Sequence, residues 1–116
     1  MNTKETVMAS RIIAETAAEF KVSCTDMTGP SRRQGLLLAR ELAAWLIREH
    51  TTATLAEIGR MLGERDGSTV HNEVRRAEDE LSYSKGYQRK RDAIQGRILD
   101  RKIEDRKIEE RGVQTA

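Results

Sequence analysis

Residues 55–76, LAEIGRMLGERDGSTVHNEVRR, constrain the fold more than any other part of the chain. Thr54 followed by Glu57 is the capping-box pattern that begins a helix, because each side chain can satisfy a backbone N–H of the other residue. Gly63 is suited to end that helix, and a turn at residues 64–67 follows. The pattern predicts a helix, a tight turn and a second helix.

The predicted second helix has two contrasting faces. Asp66 or Ser68 can cap its N-terminus. Its apolar residues recur at helical spacing and predict one buried stripe, made of Val70, Val74, Ala77 and Leu81. The opposite face carries side chains that can hydrogen-bond to base edges or phosphates when a helix N-terminus enters the major groove: Ser68, Thr69, Asn72, Arg75 and Arg76.

The rest of the chain also contains patterns that predict helices and residues that begin or end them. Residues 3–20 have apolar residues at helical spacing and predict a first amphipathic helix. Ser23 with Asp26 begins a short second helix, which Gly29 and Pro30 end, and residues 31–34 form a basic loop. Residues 36–50 predict the central helix of a bundle through a wide apolar stripe: Leu38, Ala39, Leu42, Ala43, Trp45, Leu46 and Ile47.

Composition favours an all-α bundle with an aliphatic core. Aromatic residues make up only 3% of the chain, and Pro30 is its single proline. Ile94 and Ile98 are expected to pack on the bundle, with Leu99 as a further candidate. We therefore predict one domain at residues 1–100, followed by a long charged helix or frayed tail at 101–116.

Charge is unevenly distributed. Residues 1–83 hold 11 Lys and Arg against 13 Asp and Glu, a balance of −2, whereas residues 84–116 hold 10 against 6, a balance of +4. Any affinity of the first part for DNA must therefore come from where its arginines lie and not from bulk charge.

Several classes of function have little support. The chain contains no G-x-x-x-x-G-K-[ST] loop, and His50, His71 and Cys24 lack the spacing of metal ligands, so we expect no enzyme, cofactor or metal. A single cysteine excludes an internal disulfide, and no apolar run reaches the length of a membrane span. The expected location is the cytoplasm, or the nucleoid if DNA is bound. Scarce aromatics disfavour single-stranded nucleic acid.

Residues 63–73, GERDGSTVHNE, resemble the signature Gly-Gly-Arg-Asp-His-Ser/Thr-Thr-Val-Leu-His-Ala of the C-terminal DNA-binding domain of the bacterial replication initiator DnaA. The resemblance extends back without a gap through LAEIGRMLG and ARELAAWLIREH, and covers about residues 7–100. It implies a small helical bundle with a helix-turn-helix, similar to the Trp repressor and DnaA C-terminal domains.

The resemblance also implies roles for individual residues. Asp66, Ser68 and Thr69 match positions that read bases in the major groove, and Asp66 and Ser68 can also serve as helix caps. Arg32 and Arg33 match a basic loop that reaches the minor groove, with a solvated loop as the alternative. The expected backbone contacts are Arg40, Arg48, Arg65, Arg75 and Arg76, several of which could instead pair with nearby acids.

Three positions depart from the family signature. Gly67 replaces a base-reading histidine, which removes a contact worth about 1–3 kcal/mol in discrimination. Glu64 replaces the second glycine, and Glu73 adds a negative charge to a helix expected to approach phosphates. The fold should survive these changes, but the preferred DNA sequence should differ from that of the family.

The leading hypothesis is a stand-alone protein that binds double-stranded DNA sequence-specifically and acts in replication-initiation control at origin-like sites without ATPase activity. One alternative is a transcriptional regulator with its own operator. Another is a protein-interaction module that has lost DNA binding, whose C-terminal tail contacts replication or transcription proteins.

Overall fold

The computed structural model describes residues 2–99, and all regular structure within that range is helical. Its six helices are α1 (Thr3–Glu19), α2 (Cys24–Thr28), α3 (Gln34–His50), α4 (Leu55–Met61), α5 (Gly67–Tyr83) and α6 (85–99). The predicted all-α class is confirmed. The tail predicted at 101–116 lies outside the described residues, and the domain boundary at residue 100 stays a prediction.

Local capping explains where the helices begin. The Ser23 side chain accepts a hydrogen bond from the backbone N–H of Asp26, and thereby caps α2 as its sequence predicts. Thr54 and Glu57 form both halves of the capping box at α4. Beyond the end of α4, Gly63 has φ +99°, a left-handed conformation that glycine adopts without steric cost. The predicted start of α4 is therefore confirmed, whereas its helical residues end at Met61, two residues before Gly63.

The core lies around α3, which packs against α1, α4 and α5. Leu42, Leu46 and Ile47 of α3 are fully buried there. The predicted stripe of α5 is confirmed, since all four members are buried: Val70, Val74, Ala77 and Leu81. Trp45 is half-buried at the edge of this core, with the Arg91 guanidinium 6.0 Å from its ring centre. The core is therefore mainly aliphatic, as the composition predicts.

Helix α6 packs back across α1 and α3. Ile94 and Ile98 are fully buried as expected, whereas Leu99 is 46% exposed because the next helical position points about 100° away from Ile98. The Tyr87 hydroxyl donates to the Leu38 carbonyl at 2.7 Å. Arg97 donates to two carboxylates of α1, those of Glu15 and Glu19. None of the helices in residues 2–99 is both long and apolar enough to cross a bilayer.

Candidate nucleic-acid interface

The N-terminus of α5 is fixed by Asp66. Its carboxylate accepts from the Thr69 backbone N–H and from the Ser68 hydroxyl, each at 2.8 Å. The hydrogen bond from the Thr69 backbone lowers the Asp66 pKa, with the Ser68 hydroxyl as the next cause. Of the two predicted caps, Asp66 is the one used, and the helix begins at Gly67, one residue before the expected start at Ser68. A carboxylate and two hydroxyls thus stand at the exposed tip of the helix.

The polar face of α5 is exposed as its pattern predicts. The solvent-facing side chains are Ser68, Thr69, Asn72, Arg75 and Arg76. Arg76 lies 3.5 Å from the buried carboxylate of Glu41 while its own side chain remains 63% exposed. The Arg76 guanidinium is therefore partly neutralised by Glu41 and still accessible to solvent.

A groove separates this face from the loop at residues 29–33. Its volume is about 910 Å³. Arg32 lines the groove from the loop and Thr69, Asn72 and Arg76 line it from α5. Its lining also includes Arg40, Arg65 and Glu73. Arg32 and Arg33 are both exposed, and Arg33 lies 3.9 Å from Asp26 with its side chain still 71% exposed. The structure thus brings the predicted basic loop and the predicted recognition helix to opposite walls of one groove.

The two ends of the groove differ in charge. At the end away from Arg32, Asp79 and Glu80 contribute carboxylates beside Glu41 and the exposed Tyr83. An anionic ligand such as a phosphate backbone therefore fits the end formed by Arg32, Thr69 and Asn72 and is repelled from the other. Gln34, also a lining residue, was expected only as part of the basic loop, and it is instead the first residue of α3.

Arg40, expected to contact DNA, is instead an internal residue. Its side chain is 1% exposed, and its guanidinium donates only to backbone carbonyls at the C-terminal end of α2 and in the following loop. The acceptors are Asp26 at 2.8 Å, Met27 at 2.9 Å, Gly29 at 2.7 Å, and Ser31. Burial, followed by the nearby charge of Arg65, lowers its pKa. Arg40 therefore has a structural role in holding the loop, in place of the predicted contact with DNA.

Arg65 differs from expectation in the same way. Its side chain is only 17% exposed. The guanidinium donates to the carbonyl of Leu62 and, at 3.2 Å, to that of Gly29. Arg65 lines the groove, but these donors bind backbone carbonyls of the protein itself. Arg48 and Arg75 are exposed, but neither is among the residues that line the groove.

Glu73 is buried and not on the outward face where it was expected. It is 5% exposed, and its Oε1 lies 3.9 Å from Nε of Arg65. That oxygen has no hydrogen-bond partner in the described part of the chain. Burial raises the Glu73 pKa, opposed in turn by the charges of Arg65, Arg40 and Arg76. Its negative charge is therefore compensated by these arginines, although Glu73 also lines the groove.

Glu73→Gln is expected to change how the free energy of unfolding depends on pH. Because the native pKa of Glu73 is raised above its ordinary value of 4.5, the native state binds this proton more tightly than the unfolded state does. The contribution of Glu73 to stability therefore falls as pH rises from about 4.5 through the native pKa. Urea unfolding across this window should show native stability falling relative to Glu73→Gln as pH rises.

The exposed residue Glu78 on the same helix provides the control for this measurement. Glu78→Gln removes an equal charge and should leave the pH profile close to that of the native protein. Glu41, whose pKa burial also raises, is present in all three proteins. A difference between native protein and Glu73→Gln that does not change with pH would contradict the burial of this carboxylate.

Comparison with known proteins identifies similar sequences. The bacterial DnaA protein helix-turn-helix family matches residues 9–77. The chain is 47% identical over 64 residues to the chromosomal replication initiator protein DnaA of Cutibacterium acnes, which covers 55% of this chain and 13% of that protein. For the initiator of Thermomicrobium roseum, identity is 35% over 78 residues, or 67% of this chain and 17% of the relative.

A longer match links the chain to the chromosomal replication initiator protein DnaA of Roseiflexus castenholzii, at 28% identity over 102 residues. That match covers 88% of this chain and 21% of the relative. The chain thus spans about a fifth or less of the length of these relatives. Loop 29–33, α4 and the first part of α5 lie inside the segment matched by the family, whereas Asp79, Glu80 and Tyr83 of the groove lie beyond it.

Proposed function

Because the chain belongs to the bacterial DnaA helix-turn-helix family, we propose that it binds double-stranded DNA and selects its sequence through the N-terminus of α5. The observation that carries this proposal is the groove with Arg32 on one wall and Thr69 and Asn72 on the other. Adjacent major and minor grooves of DNA share one phosphate strand. If α5 enters the major groove of DNA and Arg32 enters the adjacent minor groove, the phosphate strand that separates the two must lie between α5 and Arg32. The groove of the protein lies at that place.

The exposed groups at the tip of α5 suit base recognition. The Thr69 methyl can contact a thymine methyl, and the Asp66 carboxylate can accept from a cytosine amino group while it caps the helix. Gly67 leaves space beside them, so the backbone can approach the DNA closely. Arg33, Arg48, Arg75 and Arg76 are the further exposed cations proposed for phosphate contact, and Ser68 and Asn72 complete the polar face.

We place this activity in the control of replication initiation, because the relatives named above are chromosomal replication initiator proteins. The proposed targets are origin-like sites on duplex DNA. The 116 residues contain no phosphate-binding loop of the Walker type. The proposal therefore concerns occupation of DNA sites and assigns no nucleotide hydrolysis to this chain.

The acidic end of the groove favours a second candidate, a module that binds a protein through this face. Asp79 and Glu80 would repel DNA but could pair with lysines or arginines of a partner. In that case the cationic end would contribute little, and DNA affinity would be absent even at low salt.

Titration against random duplex DNA at several salt concentrations separates the two candidates. For a DNA binder, log K should fall linearly with log salt, by about 0.9 for each phosphate contacted. Arg32→Ala should reduce this slope by about one contact, or 0.9. Arg89→Ala, which removes an exposed cation of α6 that does not line the groove, should leave the slope unchanged. Absence of binding at low salt would reject the proposed function.

Sequence preference is tested at Thr69. With a preferred site selected from a random DNA pool, Thr69→Ala should weaken binding to that site by about 1 kcal/mol and leave binding to scrambled duplex nearly unchanged. Arg48→Ala is the contrasting variant, because loss of a phosphate contact should weaken both sequences by the same factor. If Thr69→Ala also weakened both equally, the placement of α5 in the major groove would be wrong.

A further inference from the structure

The carbonyl oxygen of Gly29 joins two parts of the protein that are distant in sequence. It accepts from the Arg40 guanidinium of α3 at 2.7 Å and from the Arg65 guanidinium of the turn at 62–66 at 3.2 Å. Gly29 begins the loop that carries Arg32 and Arg33, and Arg65 immediately precedes the residue that caps α5. One acceptor therefore connects the two walls of the candidate DNA interface.

Arg40 holds this loop at more than one point. Besides Gly29, it binds the carbonyls of Asp26 and Met27 at the end of α2 and that of Ser31 inside the loop. These bonds supply donors to carbonyls at a helix terminus and in a loop, and a cation is favoured at the negative end of a helix. The backbone of loop 29–33 is consequently fixed to α3.

Two neighbouring guanidiniums repel one another in a partly desolvated space. The charge of Arg65 lowers the pKa of Arg40, whereas that of Glu73 raises it. Glu73 is the buried carboxylate that faces them, 3.9 Å from Arg65. Burying a charge of this kind brings little or no net stability, since desolvation opposes the attraction. A gain in stability is therefore a poor explanation for a carboxylate at this place.

We propose that Glu73 is a positioning residue, whose charge allows Arg40 and Arg65 to share the Gly29 carbonyl and thereby fixes loop 29–33 at a set distance from the N-terminus of α5. The effect of Glu73 on DNA binding rests on the proposed function, because the distance between loop 29–33 and α5 matters only if both contact the same duplex. If loop 29–33 and the N-terminus of α5 are already correctly spaced in the free protein, DNA binding does not have to order them and loses less conformational entropy.

The first test uses the free protein and needs no DNA. The amide of Gly29 donates to Asp26, and that of Arg65 donates to Gly59, so their hydrogen exchange reports on the loop and the turn respectively. Glu73→Gln should accelerate exchange at both amides by about tenfold or more, as expected for easier local opening. Glu78→Gln should change neither. Unchanged exchange in Glu73→Gln would overturn the proposal.

Glu73→Asp separates charge from packing, because it keeps the carboxylate and removes one methylene. It should restore most of the native protection at Gly29 and Arg65. Acceleration equal to that of Glu73→Gln would show that packing and not charge positions the loop, and the proposal would fall. Arg65→Lys is the alternative variant if Glu73→Gln does not fold. It keeps the positive charge but cannot donate to the carbonyls of Leu62 and Gly29 at once, so hydrogen exchange at the Gly29 amide should accelerate. Native protection of that amide in Arg65→Lys would overturn the proposal.

The second test measures DNA affinity. In the native protein Arg32→Ala should weaken binding about tenfold, whereas in the Glu73→Gln background the same change should cost less than about threefold, because the loop is no longer held in register. A merely structural loss would leave the Arg32→Ala factor equal in both backgrounds, and that result would overturn the proposed consequence. If native protein binds no duplex at all, the proposed function fails, and hydrogen exchange alone decides whether Glu73 positions the loop.

Discussion

Arg40→Ala is expected to lower the free energy of unfolding by about 3–5 kcal/mol. The substitution removes one donor from each of four backbone carbonyls, those of Asp26, Met27, Gly29 and Ser31. It also leaves Glu73 with only part of its compensating charge. Small domains are stable by only about 5–15 kcal/mol, so a loss of this size should be visible in urea or thermal unfolding.

The matched control for this substitution is Arg48→Ala. Arg48 lies on the same helix, but its side chain is exposed, so its removal should change the free energy of unfolding by no more than about 0.5 kcal/mol. The two variants thus remove the same chemical group from an internal and an external position. A loss below about 1 kcal/mol for Arg40→Ala would mean that water replaces the guanidinium at those carbonyls, contrary to the structural role assigned here.

The parts of the fold that the sequence predicts correctly depend on short-range chemistry. Ser23 with Asp26 and Thr54 with Glu57 act over three residues, so each cap is readable from its own segment. The buried stripe of α5 follows from helical periodicity, which fixes a shared face whatever the neighbouring helices are. The predicted burial of Ile94 and Ile98 succeeds for the same reason.

The incorrect expectations concern charged residues whose partners are distant in sequence. Arg40 bonds to carbonyls 9 to 14 residues away, and Arg65 reaches Gly29 across 36 residues. No local pattern records such contacts, and only the resemblance assigns these two arginines to the DNA backbone. Family resemblance could align these positions but could not show where their side chains point.

The candidate site is predictable to a different extent. The resemblance assigns Arg32 and Thr69 to the DNA interface, and the fold brings both to one groove although they are 37 positions apart in sequence. The acidic lining by Glu41, Asp79 and Glu80 was not foreseen, because it depends on how α3 and α5 pack. Contact of these residues with DNA stays a prediction for the titrations described above.

Gly59→Ala is expected to destabilise the protein by at least about 3–5 kcal/mol or to prevent folding. Gly59 is buried in α4, where an added Cβ would lie 1.8 Å from the carbonyl oxygen of Arg65 and 3.3 Å from a methyl of Val70. The Arg65 amide donates to the Gly59 carbonyl at 2.9 Å, so the two backbones are held together at this point. Relief of the clash would have to move the turn that leads into α5.

Gly96→Ala is the control, because this glycine lies in α6 and, within residues 2–99, no atom outside the neighbouring helix backbone lies within 4 Å of the position of an added Cβ. Alanine is favoured over glycine in a helix interior by about 0.8–1.0 kcal/mol, so Gly96→Ala should stabilise the protein. Helix propensity alone would predict the same gain at Gly59, and the two variants should therefore differ in sign. Thermal unfolding of both is sufficient: a melting temperature for Gly59→Ala at or above that of the native protein would show that α4 does not contact the turn as closely as described.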